Sequence, residues 1–142
     1  MNPKRVEHIG IAVRNLEKSL NFYQNVLGLE FLKQEIVESQ GVKIAFLKVG
    51  ESKIELLEPL NADSTIAKFI EKNGEGIHHF AVLVDSIEDK VRVMQAQGAK
   101  MIGDKPSEGA DGMKIIFVHP KTTNGVLLEL CEPLAKEEKL CQ

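Results

Sequence analysis

The chain has no apolar run approaching the roughly 20 residues that span a bilayer, and among its 142 residues only Cys131 and Cys141 are cysteines. The first absence sets aside the membrane-spanning helical classes. The second rules out a disulfide scaffold and fits a reduced, cytoplasmic setting. Charge of one sign is also scarce. A net charge of −3 leaves no electrostatic footprint for nucleic acid or a membrane surface. The opening residues, Met1-Asn2-Pro3-Lys4-Arg5, lead straight into a strand pattern without the apolar segment of a signal peptide. What remains is an ordinary globular composition, 43% hydrophobic and 27% charged. It is long enough for one core, or for two small modules that share one.

The chain repeats itself. Val6-Glu7-His8-Ile9-Gly10-Ile11-Ala12-Val13 is echoed by Ile77-His78-His79-Phe80-Ala81-Val82-Leu83-Val84, so that His79 lies 71 residues after His8. At the same spacing, Gly41-Val42-Lys43-Ile44-Ala45-Phe46-Leu47 is echoed by Gly112-Met113-Lys114-Ile115-Ile116-Phe117-Val118. Ile54-Glu55-Leu56-Leu57-Glu58-Pro59 returns 74 residues later as Leu128-Glu129-Leu130-Cys131-Glu132-Pro133, the three extra residues falling in the turn Lys121-Thr122-Thr123-Asn124-Gly125. An ordered set of matches at near-constant spacing is an internal duplication.

Each copy reads as β-α-β-β-β. In the first, a strand over Val6–Val13 precedes a helix over Leu16–Leu27, with Asn15 as N-cap and Gly28 as its stop. Strands over Leu29–Val37, Val42–Val49 and Lys53–Leu57 follow. In the second, a strand over His79–Val84 precedes a helix over Ile87–Gln97, closed by Gly98. Strands over Lys100–Lys105, Gly112–Val118 and Leu128–Pro133 complete it. The expected architecture is α+β: tandem βαβββ modules, about 5–59 and 76–133, whose sheets enclose a shared cavity. A connecting helix lies within 60–75, where Ile66, Phe69 and Ile70 form a stripe between Ser64 and Gly74. The tail from 134 to 142 is polar and expected to fray.

One helix per module covers one sheet face, and strand alternation sorts the side chains. Ile9, Ile11 and Val13, Phe80, Val82 and Val84, Ile54 and Leu56, and Leu128 and Leu130 suit the helix side. The opposite face then carries His8, Glu55, His79 and Glu129. A carboxylate set among leucines is costly to bury alone, and two imidazoles with two carboxylates resolve the cost by binding one divalent metal. Mixed nitrogen and oxygen donors fit Co²⁺, Mn²⁺, Ni²⁺, Fe²⁺ or Zn²⁺. Taken singly, a strand histidine is more often structural and a strand glutamate solvated; recurrence on one inferred face is what argues for a site. His78 has the other parity, which suits a structural or supporting role. His119 reads equally as a cavity-rim or a turn residue. Glu58 and Glu132, each before a proline, read as solvated caps, and Cys131 as a buried inert thiol. Lys43 and Lys114 are either solvated or anchors for an anionic substrate.

The paired units with their His/Glu/His/Glu pattern resemble the vicinal oxygen chelate superfamily over about residues 6–133. Within it, Glu55-Leu56-Leu57-Glu58-Pro59-Leu60, Asp63-Ser64-Thr65-Ile66-Ala67-Lys68-Phe69, Gly76-Ile77-His78-His79, Val84-Asp85-Ser86-Ile87 and His119-Pro120-Lys121 are similar to the methylmalonyl-CoA epimerase family. The resemblance implies one divalent ion, Co²⁺ being favoured, on His8, His79, Glu129 and the position of Glu55. Some family members carry glutamine at that last position, and glutamate there is also the pattern of metal-dependent glyoxalase I. It implies an acyl-CoA substrate, a homodimer, and proton transfer at C2 by two groups on opposite faces. Glu129 matches one; the other falls near Lys43 or Ile44, where this sequence has no carboxylate, so that Lys43 or a water is left for the role. The alternatives are a glyoxalase I-type lactoylglutathione lyase and a non-catalytic small-molecule binder of the same fold. An extradiol dioxygenase fits less well, because Glu55 crowds its two-histidine, one-carboxylate iron site.

Overall fold

The computed structural model describes residues 2–134, so the expectation of a frayed tail lies almost wholly outside the described residues. The duplicated pattern folds as two copies of β-α-β-β-β. The first copy is β1 (Arg5–Ala12), α1 (Leu16–Leu20), β2 (Glu30–Val37), β3 (Val42–Val49) and β4 (Ser52–Pro59). The joint carries α2 (Thr65–Asn73). The second copy is β5 (Gly76–Leu83), α3 (Ile87–Ala96), β6 (Met101–Glu108), β7 (Met113–Val118) and β8 (Leu128–Pro133). Among the described residues no helix is long and apolar enough to cross a membrane.

The chain forms two compact units, one of residues Glu7–Phe80 and one joining the first residues to Ala81 and beyond. In the Glu7–Phe80 unit the strand order is β2-β3-β4-β1. β1 runs parallel to β4, while β3 is antiparallel to both β2 and β4. In the other unit β7 lies between β6 and β8 and is antiparallel to each. Within Glu7–Phe80, Val13, Leu16, Ala45, Leu47 and Leu56 are buried together, with Ile11, Leu20, Tyr23 and Ile54 packed against them. In the other unit Val84, Ile87, Ile116, Val118 and Leu130 do the same with Val82, Val91, Met94 and Leu128. Ile11, Val13, Ile54 and Leu56, and Val82, Val84, Leu128 and Leu130, are among the positions that alternation assigned to the helix side. The other face of the second unit is lined by Ala81, Leu83, Ile115 and Cys131, with Met113 and Phe117.

The helix starts follow the local chemistry. The side chains of Asn15, Ser64 and Ser86 accept from the backbone N–H groups of Lys18, Ala67 and Asp89, satisfying donors that a first turn leaves open. Two corrections concern length. The first helix is α-helical only to Leu20 and continues over Asn21–Val26 as a π-helix, where Leu27 N–H donates to the Phe22 carbonyl at 2.7 Å. Apolar spacing alone does not separate the two helix types. β6 extends to Glu108 rather than Lys105, through a register irregularity between Ile102 and Ser107 at Gly103, whose φ of +89° only glycine adopts freely.

Glu58 and Glu132 are caps of another kind than expected. Glu58 Oε1 accepts from Leu16 N–H at 2.7 Å, and Glu132 Oε1 from Ile87 N–H at 2.8 Å. Each copy thus closes the first turn of its own helix with the carboxylate that ends its last strand. They are bonded rather than solvated, and Glu132 is buried. Negative charge at a helix N-terminus is favourable in both cases.

Candidate metal centre

Glu7, His8, Glu55 and His79 are buried charged or polar residues of the Glu7–Phe80 unit, each no more than 6% exposed. β1 supplies Glu7 and His8, β4 supplies Glu55, and β5 supplies His79 just before the chain leaves this unit. Buried ionisable groups at this density persist only if they partner one another or an ion. His8 turns one ring edge to each task. Its Nδ1 lies 2.6 Å from Glu7 Oε1 and 3.1 Å from Glu55 Oε2. Its Nε2 lies 3.1 Å from the Nε2 of His79, with the two rings edge to face.

Glu7 is the residue that reasoning from parity missed. Its Oε2 pairs with Lys53 Nζ at 2.7 Å. Burial pushes its carboxyl upward, but the hydrogen bonds from His8 and Lys53 and the lysine charge outweigh this and hold it below its ordinary value. A carboxylate against Nδ1 fixes the proton on that nitrogen and leaves the Nε2 lone pair facing His79. A signal for this role existed in the repeat. Position 7 aligns with position 78, and His78 Nδ1 stands 2.9 Å from His79 Nδ1. His78 is in turn set edge to face on Phe69, with ring centroids 4.9 Å apart. Each histidine of the pair therefore has the residue before it at its Nδ1.

The donor set fits a divalent cation. Two nitrogens each about 2.1 Å from a common ion and at right angles stand about 3.0 Å apart, close to the 3.1 Å between the two Nε2 atoms. Glu7, His8 and Glu55 also offer atoms that all lie within 4.8 Å of one another. Glu55 lies against His8 on the Nδ1 side of its ring, the edge away from the Nε2 that faces His79.

Glu129 lies on β8 in the other unit and is 4% exposed. Its register partner is Phe117, as that of Glu55 is Phe46, so the two glutamates hold equivalent places in their copies. Cys131 is fully buried on the same side and donates from Sγ to the Val82 carbonyl at 3.4 Å, the arrangement of an inert thiol. His119 is a turn residue whose Nδ1 accepts from Lys121 N–H at 3.0 Å.

Lys43 requires a correction. In the β3–β4 ladder it pairs with Glu58, whereas Phe46 pairs with Glu55. Alternation then sets Lys43 with Ala45 and Leu47 on the helix side, away from Glu55. Its counterpart Lys114 follows the same rule and lies 3.7 Å from Glu132. Lys43 is therefore not on the face of Glu55, and Ile44, which is, carries no proton-transfer group.

A sequence profile of the Glyoxalase/Bleomycin resistance protein/Dioxygenase superfamily matches residues 7–117. The chain is 49% identical to an uncharacterized protein of Bacillus subtilis over 91% of its own length and 92% of that protein's. It is 39% identical to the human mitochondrial methylmalonyl-CoA epimerase, over 91% of this chain and 74% of that one. Its fold superposes with a TM-score of 0.89 on a variant of the Streptomyces coelicolor methylmalonyl-CoA epimerase in complex with 2-nitronate-propionyl-CoA. That pair shares 37% identity, over 94% of this chain and 97% of the other. The chain belongs to the glyoxalase, bleomycin resistance and dioxygenase superfamily and, within it, to the family of the methylmalonyl-CoA epimerases.

Proposed function

We propose that this protein is a metal-dependent epimerase that interconverts (R)- and (S)-methylmalonyl-CoA by moving the proton at C2. The observation that carries the reading is the facing Nε2 pair of His8 and His79, 3.1 Å apart and each backed at Nδ1. Similarity to epimerases named for this substrate supplies the acyl class. We assign His8, Glu55, His79 and Glu129 as ligands of one divalent ion, Co²⁺ being the favoured one. Glu55 and Glu129 enter on their equivalent places in the repeat, and a homodimer follows from the resemblance.

A divalent ion held there supplies the Lewis acidity that stabilises developing negative charge on the thioester oxygen. The remaining steps fall to the chain and to solvent. The Glu129 carboxylate takes the C2 proton from one face. With Lys43 turned to the helix side, water delivers the proton on the opposite face and inverts the centre. Glu7 holds the His8 imidazole in the tautomer that keeps Nε2 unprotonated, and His78 stands against Nδ1 of His79.

Incubating methylmalonyl-CoA with the protein in D₂O tests the proposal. Deuterium should enter at C2 and racemisation should follow. Both should disappear after chelation and return with Co²⁺, while His79→Ala and Glu129→Ala should show neither. Full exchange by either variant, or by metal-stripped protein, defeats the assignment. Glu55 also matches the glyoxalase I pattern, and turnover of a glutathione hemithioacetal, with none of methylmalonyl-CoA, would establish that reading instead.

A further inference from the structure

The residue that makes room for His79 has no side chain. Gly10 follows His8 by two positions on β1, so alternation puts it on the His8 face. A β-carbon built at Gly10 would stand 2.3 Å from Cε1 of His79, 2.7 Å from its Nδ1 and 2.9 Å from its Nε2. Non-bonded carbon contacts settle at about 3.5 Å, so a methyl group there displaces the ring by about 1 Å. Gly10 is not among the glycines of positive φ; any residue could adopt its backbone. Its requirement is space, and the space is filled by an imidazole. The repeat underlines this. Position 81, the counterpart of Gly10, holds an alanine buried against Leu83, Ile115 and Cys131.

We infer that Gly10 is a positioning residue of the metal centre: its missing side chain seats the His79 imidazole over β1 with Nε2 turned to Nε2 of His8. The seating rests on geometry alone, and its consequence for metal binding rests on the function proposed above. A ring moved by about 1 Å leaves the range of about 0.2 Å within which metal–ligand distances hold. It also strains the contacts at both ring nitrogens, to His8 and to His78.

The test compares wild type, Gly10→Ala, His79→Ala and the double variant. Thermal unfolding of the metal-stripped proteins reads the seating. Gly10→Ala should lower the midpoint when His79 is present and should leave it unchanged or raise it in the His79→Ala background. An equal loss in both backgrounds overturns the inference, as does failure of both Gly10→Ala proteins to fold. Should Gly10→Ala fail to fold while the double variant folds, that rescue is itself the expected coupling. Calorimetric titration with Co²⁺ reads the consequence. Gly10→Ala should bind about 100-fold more weakly than wild type, the upper end of what disturbed ligand orientation costs. Affinity within threefold of wild type overturns it. A wild type that binds no Co²⁺ removes the metal reading and Gly10's part in it, while thermal coupling still upholds the seating of His79.

Discussion

Replacing Glu7 by glutamine keeps the side chain's shape and removes its charge, and the structure says what that does. Glu7 receives Lys53 on one oxygen at 2.7 Å and His8 Nδ1 on the other at 2.6 Å. A glutamine has one oxygen and one amide, so one of the two donors must face an N–H₂ group. The loss of a charge-assisted hydrogen bond in a buried place costs about 2 kcal/mol. Against a typical domain stability of about 5–15 kcal/mol the variant stays folded, so metal binding remains measurable. If the amide turns to His8, Nδ1 must accept, the proton moves to Nε2, and the ligand is lost. Affinity for Co²⁺ should fall about 10–100-fold. Lys53→Met separates the two effects. It leaves Glu7 against His8, so affinity should hold, but it strips a charge partner from a carboxylate that is 3% exposed. Breaking a buried pair costs about 3–5 kcal/mol, and Lys53, itself 15% exposed, places this case near about 3 kcal/mol. Urea titration of the metal-stripped proteins and chelator competition for Co²⁺ read stability and affinity independently. A Glu7→Gln protein with an unchanged midpoint and affinity within threefold of wild type would refute the assignment of Glu7 to His8.

Three further outcomes concern the helix-capping carboxylates and the buried thiol. Glu132→Ala opens the Ile87 N–H and releases Lys114, and should cost about 1–2 kcal/mol in a urea titration. Glu58→Ala should cost less, because Glu58 is only partly buried. In a Cys141→Ser background, Ellman's reagent should find no thiol in the native protein and one after denaturation, since Cys131 is fully buried. Rapid native labelling would contradict its place against Ala81 and Ile115.

The duplication, the strand faces and the helix starts were legible because they rest on short-range regularities: alternation, spacing and caps. Asn15, Val13, Leu56, Val84 and Leu130 stand where that reasoning put them. The π-helical stretch was not legible, because Leu16, Leu20, Tyr23 and Leu27 satisfy an α-helical stripe whichever carbonyl Leu27 N–H reaches. Glu7 was hidden for a different reason. Counting along β1 groups it with Ile9 and Ile11, and what pairs its charge is Lys53 on β4, a partner 46 residues away that one strand's pattern does not show. Lys43 failed in the opposite sense. Its place in the chain suited an acid or base, but a shift of one residue changes the face of a strand, and the register with Glu58 decides the matter.

Where the two copies agree and where they differ separates folding from function. Glu58 and Glu132 do the same work, as do Leu56 and Leu130, because each copy must close and cover its own helix. Positions 7 and 78, and positions 10 and 81, do not agree. The two rings that face each other through Nε2 are not placed alike, and one of them lies over β1. That ring is His79, and the β-carbon absent at Gly10 is the space it occupies. His8 has at Nδ1 a carboxylate that its own hydrogen bond and Lys53 together hold below the ordinary value. His79 is backed instead by the imidazole of His78, which is set edge to face on Phe69. The two copies thus differ at the residue that precedes each histidine, Glu7 in one and His78 in the other, while the carboxylates that cap their helices are the same.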